Sequence, residues 1–290
     1  LQVFNEESAP IGQTESINIM DKDEEGYFLI YSKEDLKDFA AIVNGTLSEE
    51  KQAAYKEVCT DLDFDKPITN INAKLMDNIV LNKNVLKADG NLNSGTFDQW
   101  TPIGVSGDDA YTGTFDGQNH TISGLYINDD DASVGLFGYI GEGATVRNVG
   151  IVDSYINGSG SSTLVSVGAI CGHNSGTITN CYNTGTVSGR NAVVSNYAGG
   201  ICGQNMDPGK IENCYNTGTV SSTGTAISNY AGGVCGISYG AVENCYIENC
   251  YNTGTVSSTG ADSDNYAGGV CGRSVSTTRI WNEMRSWFCF

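Results

Sequence analysis

Histidine, basic residues and long apolar runs are all scarce in this chain, and each shortage removes a class of function. His120 and His173 are the only histidines in 290 residues. A metallopeptidase centre on a His-Glu-x-x-His helix needs two of them one turn apart, with a glutamate base beside them, so that chemistry is excluded. Lys and Arg number 15 against 34 Asp and Glu, a net charge of −19. Such a chain is repelled by nucleic-acid phosphates and by anionic membrane surfaces, so neither is an expected partner. No run of 18 apolar residues occurs, which excludes a transmembrane helix and with it membrane insertion. No Cys-x-x-Cys pair exists among the ten cysteines, so a zinc-thiolate site has no spacing to stand on. Proline is rare too: 4 against 37 glycines, amid abundant Asn, Ser and Thr, which points to many tight turns between short strands and away from a disordered linker.

What is present in abundance is repetition. Three segments align closely, running from Ala169-Ile-Cys-Gly to Tyr197-Ala-Gly-Gly, from Ile201-Cys-Gly to Tyr230-Ala-Gly-Gly, and from Val234-Cys-Gly to Tyr266-Ala-Gly-Gly; a fourth begins at Val270-Cys-Gly. Each carries Asn-Cys-Tyr-Asn-Thr-Gly-Thr-Val-Ser, at Asn180 to Ser188, Asn213 to Ser221 and Asn249 to Ser257. Degenerate copies extend upstream through Gly135-Leu-Phe-Gly and Ala144-Thr-Val-Arg-Asn-Val. Within a copy the apolar and β-branched residues form three short clusters separated by Gly or Asn. These clusters are too short for helices and suit strands. A single copy cannot bury its apolar side, so copies must stack strand over strand, about 4.8 Å apart, with each aliphatic position forming an internal ladder. Gly and Asn at the corners tolerate the left-handed backbone of a sharp bend, and stacked Asn side chains can bond along the axis.

These residues resemble the GLUG-repeat family of bacterial surface proteins. The matching text is Trp100-Thr-Pro-Ile-Gly, Tyr111-Thr-Gly-Thr-Phe-Asp-Gly, His120-Thr-Ile-Ser-Gly-Leu-Tyr, Gly135-Leu-Phe-Gly and the Cys-Tyr-Asn-Thr-Gly copies. The resemblance implies a parallel β-helix in secreted or wall-attached bacterial proteins with an adhesin-like role. Some relatives precede a zinc peptidase that cleaves immunoglobulin A, whose His-Glu-x-x-His motif is missing here.

The expected fold class is therefore all-β, a parallel β-helix (solenoid) with a small α/β N-terminal cap. The divisions are an acidic segment at 1–26, a capping region at 27–77, repeats at 78–272 and a tail or cap at 273–290. In the capping region Tyr27 to Tyr31 reads as a strand. A helix follows, with Ser32 as N-cap, Asp35 three later, and Leu36, Phe39, Ala40 and Val43 on one face. A second helix spans Ser48 to Cys59 with Ala54, Tyr55 and Val58 on one side. In the tail, Ile280, Trp281, Met284, Trp287 and Phe288 fit a helical face.

Candidate sites are few. Asp21-x-Asp23-x-Glu25-Gly26 opens like a calcium loop but places Ser32 where a bidentate Glu is required, so no metal or cofactor is expected. Eight cysteines occupy two repeat positions, and in-register neighbours on parallel strands suit stacking as reduced small hydrophobes better than a disulfide dihedral. If Ile201 faces the core, Cys202 should face out unless a bend falls between them. Asp108, Asp109 and the run Asp129 to Asp131 can be offered as paired carboxylates of the kind carbohydrate-cleaving β-helices use, but they fall in expected loops without a repeated Asp or a flanking Arg or Lys cluster. Tyr182, Tyr215 and Tyr251, and separately Tyr197, Tyr230 and Tyr266, recur once per coil. They are read either as internal ring stacks or as a platform for a glycan or protein on a host or microbial surface. The resulting expectation is a non-enzymatic, secreted or cell-surface scaffold for adhesion, binding or spacing, with a polysaccharide lyase or glycoside hydrolase as the alternative.

Overall fold

The computed structural model describes residues 17–160, 162–240, 245–276 and 279–281. Short strands wind into a parallel β-solenoid of about five turns, each turn adding one strand to each of five sheets. One coil illustrates the path: Thr177–Thr179 on face one, Tyr182–Asn183 on face two, Thr186–Arg190 on face three, Ser195–Gly199 on face four and Cys202–Met206 on face five. Every pairing between coils is parallel and in register, as with Ile178 on Ile211 and Tyr197 on Tyr230.

Inward positions form continuous ladders. Phe28, Ala73, Phe115, Val146, Ile178, Ile211 and Ile247 succeed one another along face one, all fully buried. Each of the larger side chains, Phe, Val and Ile, contributes roughly 1.5 to 3 kcal/mol of burial. On face two the ladder changes chemistry, from Ile122 and Ile151 to Asn183, Asn216 and Asn252. The amide of Asn183 donates to Asn216, and that of Asn216 to Asn252, at 2.8 Å each. Gly185 N–H donates to the Asn183 carbonyl at 2.9 Å, so these buried amides stay partnered. The expected left-handed corner is present between faces one and two, at Asn148, Asn180, Asn213 and Asn249, with φ of 56°, 54°, 52° and 52°.

The bend between faces four and five resolves the alternation problem. Ile201 and Cys202 are both fully buried because the chain turns between them, at the Gly-Gly-Ile-Cys segment. A Cβ on Gly199 or Gly200 would overlap the carbonyl oxygen of Cys202 or Gly233, so only glycine permits the turn this close to its neighbouring backbone. Phe137, Cys171, Cys202, Cys235 and Cys271 then stack along face five, with Cys171 and Cys202 sulfurs 3.6 Å apart. Among the described residues no disulfide joins any pair. Burial pushes the Cys202 and Cys235 thiols well above their ordinary range, which keeps them protonated and poor ligands or nucleophiles.

The cap is continuous with the coils. Strands Phe28–Ile30 and Ala73–Leu75 extend face one by two positions. The helix Lys33–Asn44 begins with the expected capping box: Ser32 Oγ accepts from Asp35 N–H, and the Asp35 carboxylate accepts from Ser32 N–H at 2.9 Å. Its buried Phe39 packs against Tyr111 and Phe115, at centroid distances of 6.0 and 5.9 Å. Asn44 clamps the first coil, donating to the Pro102 carbonyl at 2.9 Å and accepting from Gly104 N–H at 2.8 Å.

Two details differ from the sequence reading. In the second helix, Glu49–Val58, Tyr55 is buried but Val58 is 63% exposed, because the helix packs through a single residue and ends as Val58 swings to solvent. In the tail, Cys271–Ser276 and Arg279–Trp281 are strands in place of a helical face: the previous coil's open edge templates them, pairing Arg273 with Ile237 and Ile280 with Ile247. Met284, Trp287 and Phe288 lie outside the described residues, as do residues 1–16 of the acidic segment. The Asp21 to Gly26 turn carries its own cation, with Lys74 bonded to Asp23 at 2.7 Å and to Glu25 at 3.0 Å.

Candidate functional site

The two tyrosine ladders occupy different environments. Tyr182, Tyr215 and Tyr251 project from face two and stack with centroids 5.0 Å apart and planes within 2° and 5° of parallel. Tyr182 lies over Gly150, which leaves room for the ring by having no side chain. Ring faces are thus pressed on one another, and what reaches solvent is a row of phenol edges. Flat stacking of a sugar needs an open face, and only Tyr251, 39% exposed at the end of the row, has a free side among the described coils.

Tyr197, Tyr230 and Tyr266 lie on the outside of face four, yet Tyr197 and Tyr230 are 5% and 2% exposed. These two are not available as a surface platform, contrary to one of the two readings of their periodicity. Their cover is the outer side of face five, which folds back at the glycine bend to make a re-entrant groove. Along its floor run Ser133, Ser166, Tyr197, Tyr230 and Tyr266; along its wall run Tyr139, His173, Gln204, Ile237 and Arg273. Every residue of Ser195–Gly199 and Ser228–Gly232 is buried, as a strand covered on both sides must be. At the C-terminal end Arg273 donates to the Tyr230 hydroxyl at 2.6 Å and lies over its ring.

The N-terminal end is polar, and its Ser133, Ser166 and Gln204 are buried. Ser133 Oγ and His173 Nδ1 are hydrogen-bonded at 2.8 Å, the His173 ring stacks on Tyr139 at 5.0 Å, and Gln204 bonds the same ring. Burial pushes the His173 pKa down to about 4, against a smaller upward pull from Gln204. A serine beside a histidine resembles a nucleophile and its base, but the ring is oriented by a neutral amide, and a base with a pKa near 4 takes a proton poorly at neutral pH. The arrangement is a positioning clamp on Ser133. One rung along, the fully buried Ser166 Oγ has no hydrogen-bond partner.

In front of the clamp is a pocket of about 280 Å³ lined by Pro102, Val105, Asp130, Asp131, Ala132, Ser133, Tyr139 and Ser162. It holds two of the carboxylates singled out in the sequence. Asp109 instead accepts from Ser106 within its own loop, and Asp116 is structural. Burial raises the Asp116 pKa, but hydrogen bonds from Asn148, Gln118 N–H and Arg147 outweigh it and hold the carboxyl below its ordinary value. Among the described residues no cluster of three or more His, Cys, Asp or Glu is arranged to hold a metal. The groove was not anticipated from sequence. Its signal was present in the alignment of Ser133 with Tyr197 and of His173 with Gln204, positions that flank the glycine bend in successive coils.

Comparison with known proteins agrees with the architecture. The GLUG motif matches residues 164–188 and 194–221. Halomucin of Haloquadratum walsbyi is 36% identical over 104 residues, which is 36% of this chain and 1% of that protein. A candidate Gly-rich membrane protein of Evansella cellulosilytica is 40% identical over 82 residues, 28% of this chain and 9% of that one. The chain therefore spans a small part of these relatives. A crystal structure of a candidate immunoglobulin A1 protease from Bacteroides ovatus superimposes with a TM-score of 0.61 at 24% identity, over 90% of this chain and 66% of that one. At that identity the likeness is one of fold.

Proposed function

We propose that this GLUG-repeat protein is a non-enzymatic scaffold, secreted or held at the cell surface, whose solenoid presents a binding groove to a partner in an adhesion or display role. The observation that carries the reading is where the chemically capable side chains go. Cysteines, asparagines and tyrosines recur once per coil, and each set is consumed in an axial stack that stiffens the rod. One outward concavity that these stacks leave is the pocket at the N-terminal end of the groove. Halomucin and the Gly-rich membrane protein, by their names, support a location outside the cytoplasm, and no helix among the described residues is long and apolar enough to cross a membrane.

Adhesion is tested by displaying the full chain on a non-adherent cell and measuring retention on mucin, matrix-protein and glycan coats. Retention on one coat, competed by soluble chain, is the expected result. The carbohydrate-active alternative keeps one observation, Asp130 and Asp131 together at the pocket. Release of products from a pectin or mucin glycan panel, lost in Asp130→Asn and Asp131→Asn, would replace the scaffold reading with that one.

A further inference from the structure

The two ends of the solenoid are finished differently. At the N-terminal end the helix Lys33–Asn44 closes the core, with Phe39 packed on Tyr111 and Phe115. At the other end Tyr251–Asn252, Val256–Thr259 and Asp264–Gly268 are the last strands of faces two, three and four among the described residues. Columns that are sealed one coil earlier surface here. Val220 and Ala231 are fully buried, whereas Val256 is half-buried and Ala267 exposed. Tyr266 is 46% exposed where Tyr230 is 2%.

The hydrogen bonds stop at the same level. Asn183 and Asn216 each donate to a glycine carbonyl of their own coil and to the next asparagine. Asn252 donates to Gly254 at 2.9 Å and, among the described residues, has no further asparagine to reach. Val220 N–H donates to the Thr255 carbonyl at 2.8 Å, and the equivalent Val256 N–H faces no described strand. Exposed edges are normally guarded by Lys, Pro or a bulge. These three strands contain neither Lys nor Pro, and Asp264 is their one charge. Gly269 is a separate sign of a missing neighbour. A Cβ on Gly200 or Gly233 would overlap the carbonyl oxygen of Gly233 or Gly269 in the next coil, so glycine is required at both. A Cβ on Gly269 meets nothing within 4 Å, and its φ is not left-handed. That glycine fits a coil which the described residues do not supply.

The columns also specify the occupant. Along the close repeats tyrosine falls on tyrosine, asparagine on asparagine and Tyr-Ala-Gly on Tyr-Ala-Gly. Strand addition at this level is already visible on face one, where Arg279–Trp281, a segment without the repeat pattern, is taken up by seating Ile280 on Ile247. A second copy of this chain cannot offer its own first coil, because its helix Lys33–Asn44 stands in the way. We infer that this end captures, by parallel strand addition, an uncapped coil of the same repeat pattern carried by another polypeptide, with Tyr-Asn-x-Gly-x-Val-Ser over faces two and three and Asn-Tyr-Ala-Gly-Gly over face four. The interface is the end of the rod, and it does not rest on the groove being a binding site.

The test titrates the full chain with a dye-labelled peptide of residues 215–234, which carries the whole pattern without a cysteine or a charged side chain. Fluorescence anisotropy should show saturable binding, and a scrambled peptide of the same composition should not bind. Gly269→Val fills only the space of the incoming coil and should weaken binding by about tenfold or more at an unchanged melting temperature. Ala267→Lys, which puts an ammonium on the incoming alanine column, should do the same. Lysine at Val193, 58% exposed and away from this end, should leave binding unchanged. Absence of saturable binding, equal binding of the scrambled peptide, full binding by both Gly269→Val and Ala267→Lys, or a loss in Val193→Lys as large as theirs overturns the inference.

Discussion

Two rows of tyrosine, each repeating once per coil and each stacked ring on ring, end in opposite environments in this molecule. On face two the centroids are 5.0 Å apart and the edges meet water; in the groove they are 5.5 and 5.4 Å apart and two of the rings are sealed. Coil-to-coil register sets the stacking in both. The difference comes from the neighbouring face: nothing folds over face two at Tyr215, whereas face five turns back over Tyr230. Periodicity thus determines contact along the axis, and the angle between adjacent faces determines burial.

The sharpest way to break this comparison is to truncate one ring in each row. Tyr230→Ala should cost about 3 to 5 kcal/mol, as for a buried aromatic, and Tyr215→Ala about 1 to 1.5 kcal/mol, mostly lost stacking. Denaturant midpoints measure both; equal losses would mean that the groove does not seal its row.

The groove also carries a titration that face two lacks. Unfolded, the His173 imidazole takes a proton near pH 6.5; folded, it resists until about pH 4. Stability is therefore full above 6.5 and drains as pH falls toward 4, by roughly 3 kcal/mol in all, because only the unfolded chain binds the extra proton in that window. His173→Gln, which copies the Gln204 position, should flatten that part of the stability curve. A slope that persists unchanged in this variant places the proton uptake elsewhere.

Smaller effects refine the picture. Gly150→Ala forces Tyr182 off its seat and should cost about 1 to 3 kcal/mol by overpacking, with near-ultraviolet dichroism reporting the displaced ring. Arg273→Met keeps the stem that covers Tyr230 but removes the cation, and should lower stability by about 1 kcal/mol, read from thermal melts at matched pH. A loss as large as that of Tyr230→Ala would show that the charge, and not the apolar cover, holds the groove closed.

Much of the fold is legible in the sequence. Val-Ser, Asn-Cys and Tyr-Ala-Gly-Gly segments at a recurring spacing announce stacked coils, and Ser32 with Asp35 announces the first helix. The tail is less legible: Ile280 and Trp281 fit a helical period by themselves, but the open edge of the preceding coil imposes a strand on them. Of the candidate site, the carboxylates Asp130 and Asp131 were visible as residues without a context. The Ser133–His173 pairing was not, since the two are separated by a whole coil and meet across a corner.

The amino-acid sequence by itself therefore determined the stacked coils and the ladders of the three close repeats, because repeated side chains one coil apart must fall on one another in a parallel stack. Only the tertiary structure decided which ladders are sheltered and which are open. That depends on how tightly the chain turns at Gly199 and Gly200, where a Cβ would meet the carbonyl of Cys202 in the same coil and that of Gly233 in the next, so the angle is set jointly by the local glycine pair and by the coil stacked on it.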